Sequence, residues 1–364
     1  MNQGSPAAAI LDIDLGAIVA NWHLLRGLHP TGPVAGVVKA DGYGLGARPV
    51  AQALHAAGCR HFFVALLDEA LAIRELVPDA LLAVLGGLIP GSEAHYLAHD
   101  IVPVLGSLTE LDAWTETARA AGRKLPAMLH VDTGMSRLGL DARELRVLQH
   151  DHARLAGIEL RYVMTHLVSS EVSGDEQNER QRERFAAACA GLPHAPRSFA
   201  NSSGIFLGRN WGSDLARAGA ALYGINPTPG RPNPMRRTAQ LHARVLAVRD
   251  VQSGDSVGYN ATWCAPRPSR IATAGIGYAD GLHRSLSGHG RAFFDGTPVP
   301  LVGRVSMDLT TFDVTDTPGI APGAWLELIG PHQTPDDLAA AAGTNGYEVL
   351  TSLGCRFHRT YKPA

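Results

Sequence analysis

Between about residue 14 and residue 224 the chain alternates short apolar runs, rich in β-branched and aromatic residues, with longer stretches whose apolar positions recur three and four apart. The short runs predict strands: "PVAGVVK" ending at Lys39, "HFFVAL" at Leu66, "LLAVLGGL" at Leu88, "IVPVLG" at Gly106, "PAMLHVDTG" at Gly134, "ELRYVMTH" at His166, "RSFANS" at Ser202 and "LARAGAALYG" at Gly224. Helical spacing fills the intervals, as in "DEALAIREL" and "SLTELDAWTETARAAG". About eight such units over roughly 210 residues suit a (β/α)8 TIM-like barrel. An open doubly wound sheet shares the periodicity, because periodicity does not report closure.

The texture then changes. Pro227, Pro229, Pro232 and Pro234 in "GINPTPGRPNPMRR" break any helix or central strand. Beyond them "HARVLAVRDV", "RIATAGIGYADG", "RAFFDG", "VPLVGRVSMDLTTFDVT" and "AWLELIG" are strand-like runs separated by Gly-rich turns, and "PDDLAAAAG" and "NGYEVLTSLG" form a short helical tail. The reading is an α/β chain of two domains: an N-terminal barrel over residues 8–230 and a mostly β C-terminal domain over 231–364.

A length of 364 residues supports two cores, and 32 basic against 34 acidic side chains give no field for nucleic acid or anionic lipid, which leaves a small molecule as the expected partner. Cys59, Cys189, Cys264 and Cys355 form no CxxC pair, arguing against a zinc ribbon or a disulfide framework. The start, "MNQGSPAAAILDIDLG", has no basic segment followed by a long apolar one, and no run of eighteen apolar residues occurs. A cytoplasmic chain is expected, in which the sequons at Asn201 and Asn260 carry no sugar. The His95/His99 and His150/His152 spacings lack the glutamate and further ligands of a zinc site, so no metal is expected.

Chemistry concentrates at predicted strand ends. In "VVKADGYGLGA" the residues Gly42, Gly44 and Ala47 satisfy a dinucleotide fingerprint, with Asp68 or Glu69 at the distance of a ribose-binding acid. A lysine just ahead of the glycines is foreign to that motif. At the C-terminal mouth of a barrel Lys39 would instead be desolvated, its pKa lowered, and able to form a Schiff base. Asp132, Thr133 and Arg137 follow the fifth strand, His166 the sixth, Asn201 and Ser202 the seventh, and Arg217 and Gly219 sit at the eighth. Each has an ordinary structural use, such as helix capping. Together they line one face.

With these motifs, and with "HVDTGMSRLGL", "FANSSG", "RAGAALYGINP", "VGYNATW", "GIGYADGLHR", "VGRVSMD" and "YEVLTSLGCRFHRTY", the chain resembles the alanine racemases of the fold type III barrel family over nearly its whole length. That resemblance implies pyridoxal 5'-phosphate as cofactor, interconversion of L- and D-alanine, a supply of D-alanine for peptidoglycan, and a homodimer with shared sites. It implies further that Lys39 carries the cofactor and that Tyr43, Ser202, the backbone of Gly219 and Ala220, and Tyr347 hold its phosphate. Arg217 would face the pyridine nitrogen and His166 the ring hydroxyl side; Tyr259 would be the second acid/base group, and Arg137 with the backbone of Met307 would place the substrate carboxylate. Tyr259 and Met307 would come from the partner subunit. His130 departs from the family pattern, in which a carbamylated lysine balances the arginine corresponding to Arg137, and so leaves that balance to a bound anion or another carboxylate. The neighbouring reading is a broad-specificity amino-acid racemase; a non-catalytic pyridoxal phosphate carrier and an NAD-dependent dehydrogenase are more remote.

Overall fold

The structure, a computed structural model, describes residues 6–364. The first five residues, with the beginning of the segment read as lacking a leader, lie outside the described residues. Among the described residues no helix is long and apolar enough to cross a membrane.

Eight parallel strands close into a barrel: Val34–Val37, His61–Val64, Leu81–Val84, Val102–Leu105, Leu125–His130, Ile158–Met164, Arg197–Asn201 and Leu215–Ala218. The first pairs with the second (Gly36 with Phe62) and with the eighth (Ala35 with Arg217), which completes the ring. Ala35, Val37, Phe63, Ala83, Val102, Val104, Met128, Met164 and Leu215 fill the inside, while the alternate residues Val34, Phe62, Val64, Leu82 and Val84 pack outward against the helices. Most of them are buried on both faces, which is why they read as continuous apolar runs; the sixth, Ile158–Met164, exposes Glu159 and Arg161 in its first half. The helices between them start at side-chain caps: Asp14 accepts from the Ala17 amide, Ser107 from Glu110 and Asp141 from Arg143 and Glu144.

In the second domain Ala239–Val251 is the hub. It pairs antiparallel with Ala9–Asp14, Ser269–Ala274 and Trp325–Ile329, and Ala9–Asp14 also pairs in parallel with His358–Lys362. Residues 9–14, which fall inside the 8–230 range read as the barrel domain, thus pair only with strands beyond residue 238. Eight strands already close the ring and leave no edge to pair with, so the apolar "AILDID" strand is accommodated in the second domain's sheet. The proline-rich segment between the domains is irregular. Buried Asn21, on the first helix, donates to Leu222 O and Arg236 O and accepts from the Arg236 amide, holding both ends of that segment.

Candidate active site

Lys39 stands where the first barrel strand stops, and the backbone behind it turns left-handed. Ala40, Asp41, Gly42, Tyr43 and Gly44 have φ of 51°, 51°, 61°, 53° and 79°, a run that costs each non-glycine residue about 1–3 kcal/mol. The surroundings enforce it. Asp41 Oδ1 accepts from the Ala47 amide at 2.8 Å, Glu69 Oε1 from the Ala40 amide at 2.6 Å, and Arg359 Nη1 donates to Gly44 O at 2.8 Å. A Cβ on Gly44 would lie 2.1 Å from Leu350 O, so the C-terminal helix Gly346–Thr351 presses directly on this turn. The dinucleotide pattern is therefore present as letters, but its glycines serve a tight, braced turn.

Burial lowers the Lys39 pKa, Arg137 and Arg217 lower it further, and Glu69 opposes them. Arg217, 4% exposed, projects from the eighth strand; Nη1 donates to Ser198 Oγ at 2.5 Å and Nη2 to Thr165 O at 2.6 Å. Neither partner is charged, and burial pushes the guanidinium down to about 10. Burial first, then Arg217, drives His166 down to about 3 and His130 down to about 4; Lys39 acts further on His166, and Arg137 on both. The mouth of the barrel thus gathers three cations and two histidines kept neutral at ordinary pH, an arrangement that favours an anionic ligand.

A second group of polar atoms gathers around Ser202. Ser202 Oγ accepts from the amides of Gly219 at 2.9 Å and Ala221 at 3.3 Å, with Ala220 between them opening a 3-10 turn. Tyr43 stacks on Tyr223 with centroids 4.6 Å apart, and Tyr223 donates to Val37 O at 3.0 Å. Burial raises the Tyr43 pKa, and Tyr347 raises it further, which brings that phenol of the C-terminal helix into the same cluster. A Cβ on Gly219 would come within 2.3 Å of Tyr43 Oη, so this position has room for a backbone donor and no side chain.

The sequence reading did not single out Tyr223, Ser198, Thr165 or Gln181. Gln181 Nε2 donates to Thr133 Oγ1 and to His166 O, and Thr133 meets Thr165 Oγ1 at 2.8 Å, so a buried polar chain leads from the helix Glu176–Ala190 to the carbonyl that holds Arg217. Asp132 gathers the amides of Gly134, Met135 and Ser136 and shapes the loop that carries Arg137. Arg137 itself is exposed, and among the described residues it forms no ion pair with a carboxylate. Among the described residues no hydrogen bond or ion pair joins Tyr259 or Met307 to Lys39, and the two are 66% and 53% exposed on the second domain. Gly258 abuts Gly303 and Arg304, which sets the loops bearing Tyr259 and Met307 side by side. His95 and His99 stand exposed, and exposed His150 and His152 bond to the carbonyls of Arg146 and Gly191.

A closed barrel that presents a desolvated lysine, a buried arginine with only neutral partners and a serine holding two backbone amides, followed by a β domain, defines a class of barrel proteins suited to an anionic small molecule. The model of the alanine racemase N-terminal domain matches residues 13–227, and that of the C-terminal domain residues 238–361. An alanine racemase of Acidiphilium cryptum is 56% identical over 97% of this chain and 98% of its own length. A catabolic alanine racemase of Mesorhizobium japonicum is 49% identical over 98% of this chain and 93% of its own. The crystal structure of alanine racemase from Bartonella henselae with covalently bound pyridoxal phosphate superposes with a TM-score of 0.96 at 41% identity, covering 98% of this chain and all of that one. The chain belongs to the alanine racemase family.

Proposed function

We propose that the protein is a pyridoxal-phosphate-dependent alanine racemase, acting as a cytoplasmic homodimer that supplies D-alanine for peptidoglycan. The residues present fit the cofactor. The observation that carries the reading is buried Arg217, a cation with only neutral partners, in register with the strand that delivers Lys39. Gly219, whose missing Cβ leaves the Tyr43 hydroxyl its place, sets that hydroxyl close to the Ser202 hydroxyl and the backbone around it, groups suited to a phosphate.

Lys39 would anchor the cofactor; Tyr43, Ser202, Tyr347 and the backbone of Gly219 and Ala220 would hold its phosphate, Arg217 the ring nitrogen and His166 the ring's hydroxyl side. When bound, the group withdraws electrons from the Cα–H bond of an amino acid and makes that proton acidic. Racemisation then needs a base on one face and an acid on the other. The Lys39 amine, its pKa lowered by burial and by Arg137 and Arg217, is suited to hold or release a proton on one face. The Tyr259 phenol of the second subunit would act on the other. Arg137 and the Met307 amide would orient the substrate carboxylate. Arg217 would retain its own proton and offer the ring nitrogen only a hydrogen bond, a setting that would limit charge storage in the ring and favour return of the proton to Cα.

A visible absorbance band abolished by borohydride is expected for the wild type and absent in Lys39→Ala. Assays over a panel of L-amino acids should show racemisation of alanine above the others, with activity lost in Lys39→Ala and strongly reduced in Tyr259→Phe. Full activity in Lys39→Ala would refute the proposal, and equal rates across the panel would replace alanine with a broad substrate class.

A further inference from the structure

Glu69 is one of the two acids that the sequence places where a dinucleotide fingerprint would want a ribose ligand, and the proposed reaction makes no use of it. Its partners are unlike those of a ligand-binding acid. Oε1 accepts from the Ala40 amide at 2.6 Å, while Oε2 accepts from the amides of Ala65 at 2.8 Å and Leu66 at 3.1 Å. One carboxylate therefore ties the turn immediately behind Lys39 to the end of the neighbouring barrel strand. Ala40 is the first residue of the left-handed run, so its amide is the point at which that run must be held.

The same carboxylate matters electrostatically. The charged and titratable groups bearing on Lys39 from the elements around it are Arg137 from the loop after the fifth strand, Arg217 from the eighth strand, His166 from the end of the sixth, and Glu69. Two of these are cations and His166 is neutral at ordinary pH, so Glu69 is the group that opposes them.

We propose that Glu69 is a positioning residue for Lys39, its carboxylate clamping the left-handed turn through the Ala40 amide while adding a negative charge to the field around the amine. The bearing on catalysis rests on Lys39 being the anchoring amine, whereas the clamp and the charge exist in the chain whatever it binds. Loss of the charge leaves the amine more readily deprotonated; loss of the clamp frees the turn.

The chain offers a direct readout, because Lys39, Lys124 and Lys362 are its three lysines and exposed Lys124 serves as an internal reference. In the full chain freed of cofactor, acetic anhydride labelling of Lys39 followed by mass spectrometry across pH reports when the amine loses its proton. Glu69→Gln, nearly isosteric, is expected to move the Lys39 profile to lower pH by at least about half a unit and leave Lys124 in place. Glu69→Asp keeps the charge and is expected to restore most of that profile, but its shorter side chain cannot span both strands. Hydrogen exchange over residues 39–46, compared with the far side of the barrel, is therefore expected to quicken by roughly tenfold in both Glu69→Ala and Glu69→Asp. A Lys39 profile unmoved in Glu69→Gln overturns the proposal, as does unchanged exchange in Glu69→Ala. Neither readout involves the cofactor, so a failure of the racemase reading would show separately, as a missing visible band in the wild type.

Discussion

Gly219 gives the sharpest test of the phosphate end of the site. A Cβ there would stand 2.3 Å from Tyr43 Oη and 3.1 Å from Cζ. The Tyr43 ring is stacked on buried Tyr223, whose own hydroxyl is fixed to Val37 O, and relieving the clash means moving the phenol by about 1 Å. A hydrogen bond from that hydroxyl to a phosphate contributes roughly 1.5–3 kcal/mol. At 1.4 kcal/mol per tenfold, Gly219→Ala is expected to raise the Kd for pyridoxal phosphate by about 10- to 150-fold. Tyr43→Phe removes the bond and the worst contact together, so the double variant is expected to lose clearly less than the sum of the two single losses. Cofactor titration into the cofactor-free chain, with Tm recorded for each variant, measures all four corners of the cycle. Additive losses, or wild-type affinity in Gly219→Ala, refute the reasoning.

Arg217→Glu places a carboxylate that can share a proton with the ring nitrogen, and is expected to raise pyruvate formed per D-alanine formed; an unchanged ratio would remove the role given to Arg217. The two histidines predict an acid-side stability loss. Unfolded histidine takes up a proton near pH 6.5, whereas folded His130 and His166 do so only at about 4 and about 3, so the unfolded chain binds more protons in between. Their contribution is complete above pH 6.5 and falls as pH drops toward 4, by up to about 1.4 kcal/mol per histidine for each pH unit. Thermal unfolding against pH should show this slope, and replacing His130 with Asn should lessen it; an equal slope in that variant counts against burial as the cause.

All eight barrel strands were legible, most of them because a strand buried on both faces writes itself as an apolar run, the sixth through its alternation, and helical spacing separates them. Their ends were not. "LARAGAALYG" is a four-residue strand, Leu215–Ala218, followed by a 3-10 turn, because the chain leaves the sheet at Gly219 to point amides at Ser202. The strand Ala9–Asp14 was unreadable as part of the second domain, since its partners lie at Ala239 and beyond and at the far C-terminus. Within the site, Lys39, His166, Ser202 and Arg217 showed themselves as polar residues closing apolar runs. Ser198 and Thr165 did not, for what they do depends on the register that sets the seventh strand beside the eighth, with Ser198 opposite Leu215. Glu69 had a visible spacing but the wrong partner: the motif pointed to a ribose, and folding brought it to Ala40.

The second domain does two things at once, and their separation makes a strong prediction. Its C-terminal part braces the Lys39 turn of its own chain, through Leu350 against Gly44, Arg359 on Gly44 O and Tyr361 against Gly46. Its middle part carries Tyr259 and Met307 exposed, on adjoining loops. If each site takes Lys39 from one chain and Tyr259 from the other, a Lys39→Ala chain paired with a Tyr259→Phe chain has one site bearing both lesions and one bearing neither. Refolding the two inactive variants together at equal amounts should then restore about one quarter of wild-type activity, since half the dimers are mixed and half their sites are intact. Analytical ultracentrifugation of the same mixture checks that dimers have formed. Dimers that form and stay inactive would place Tyr259 with the Lys39 of its own chain, and the shared site would have to be abandoned.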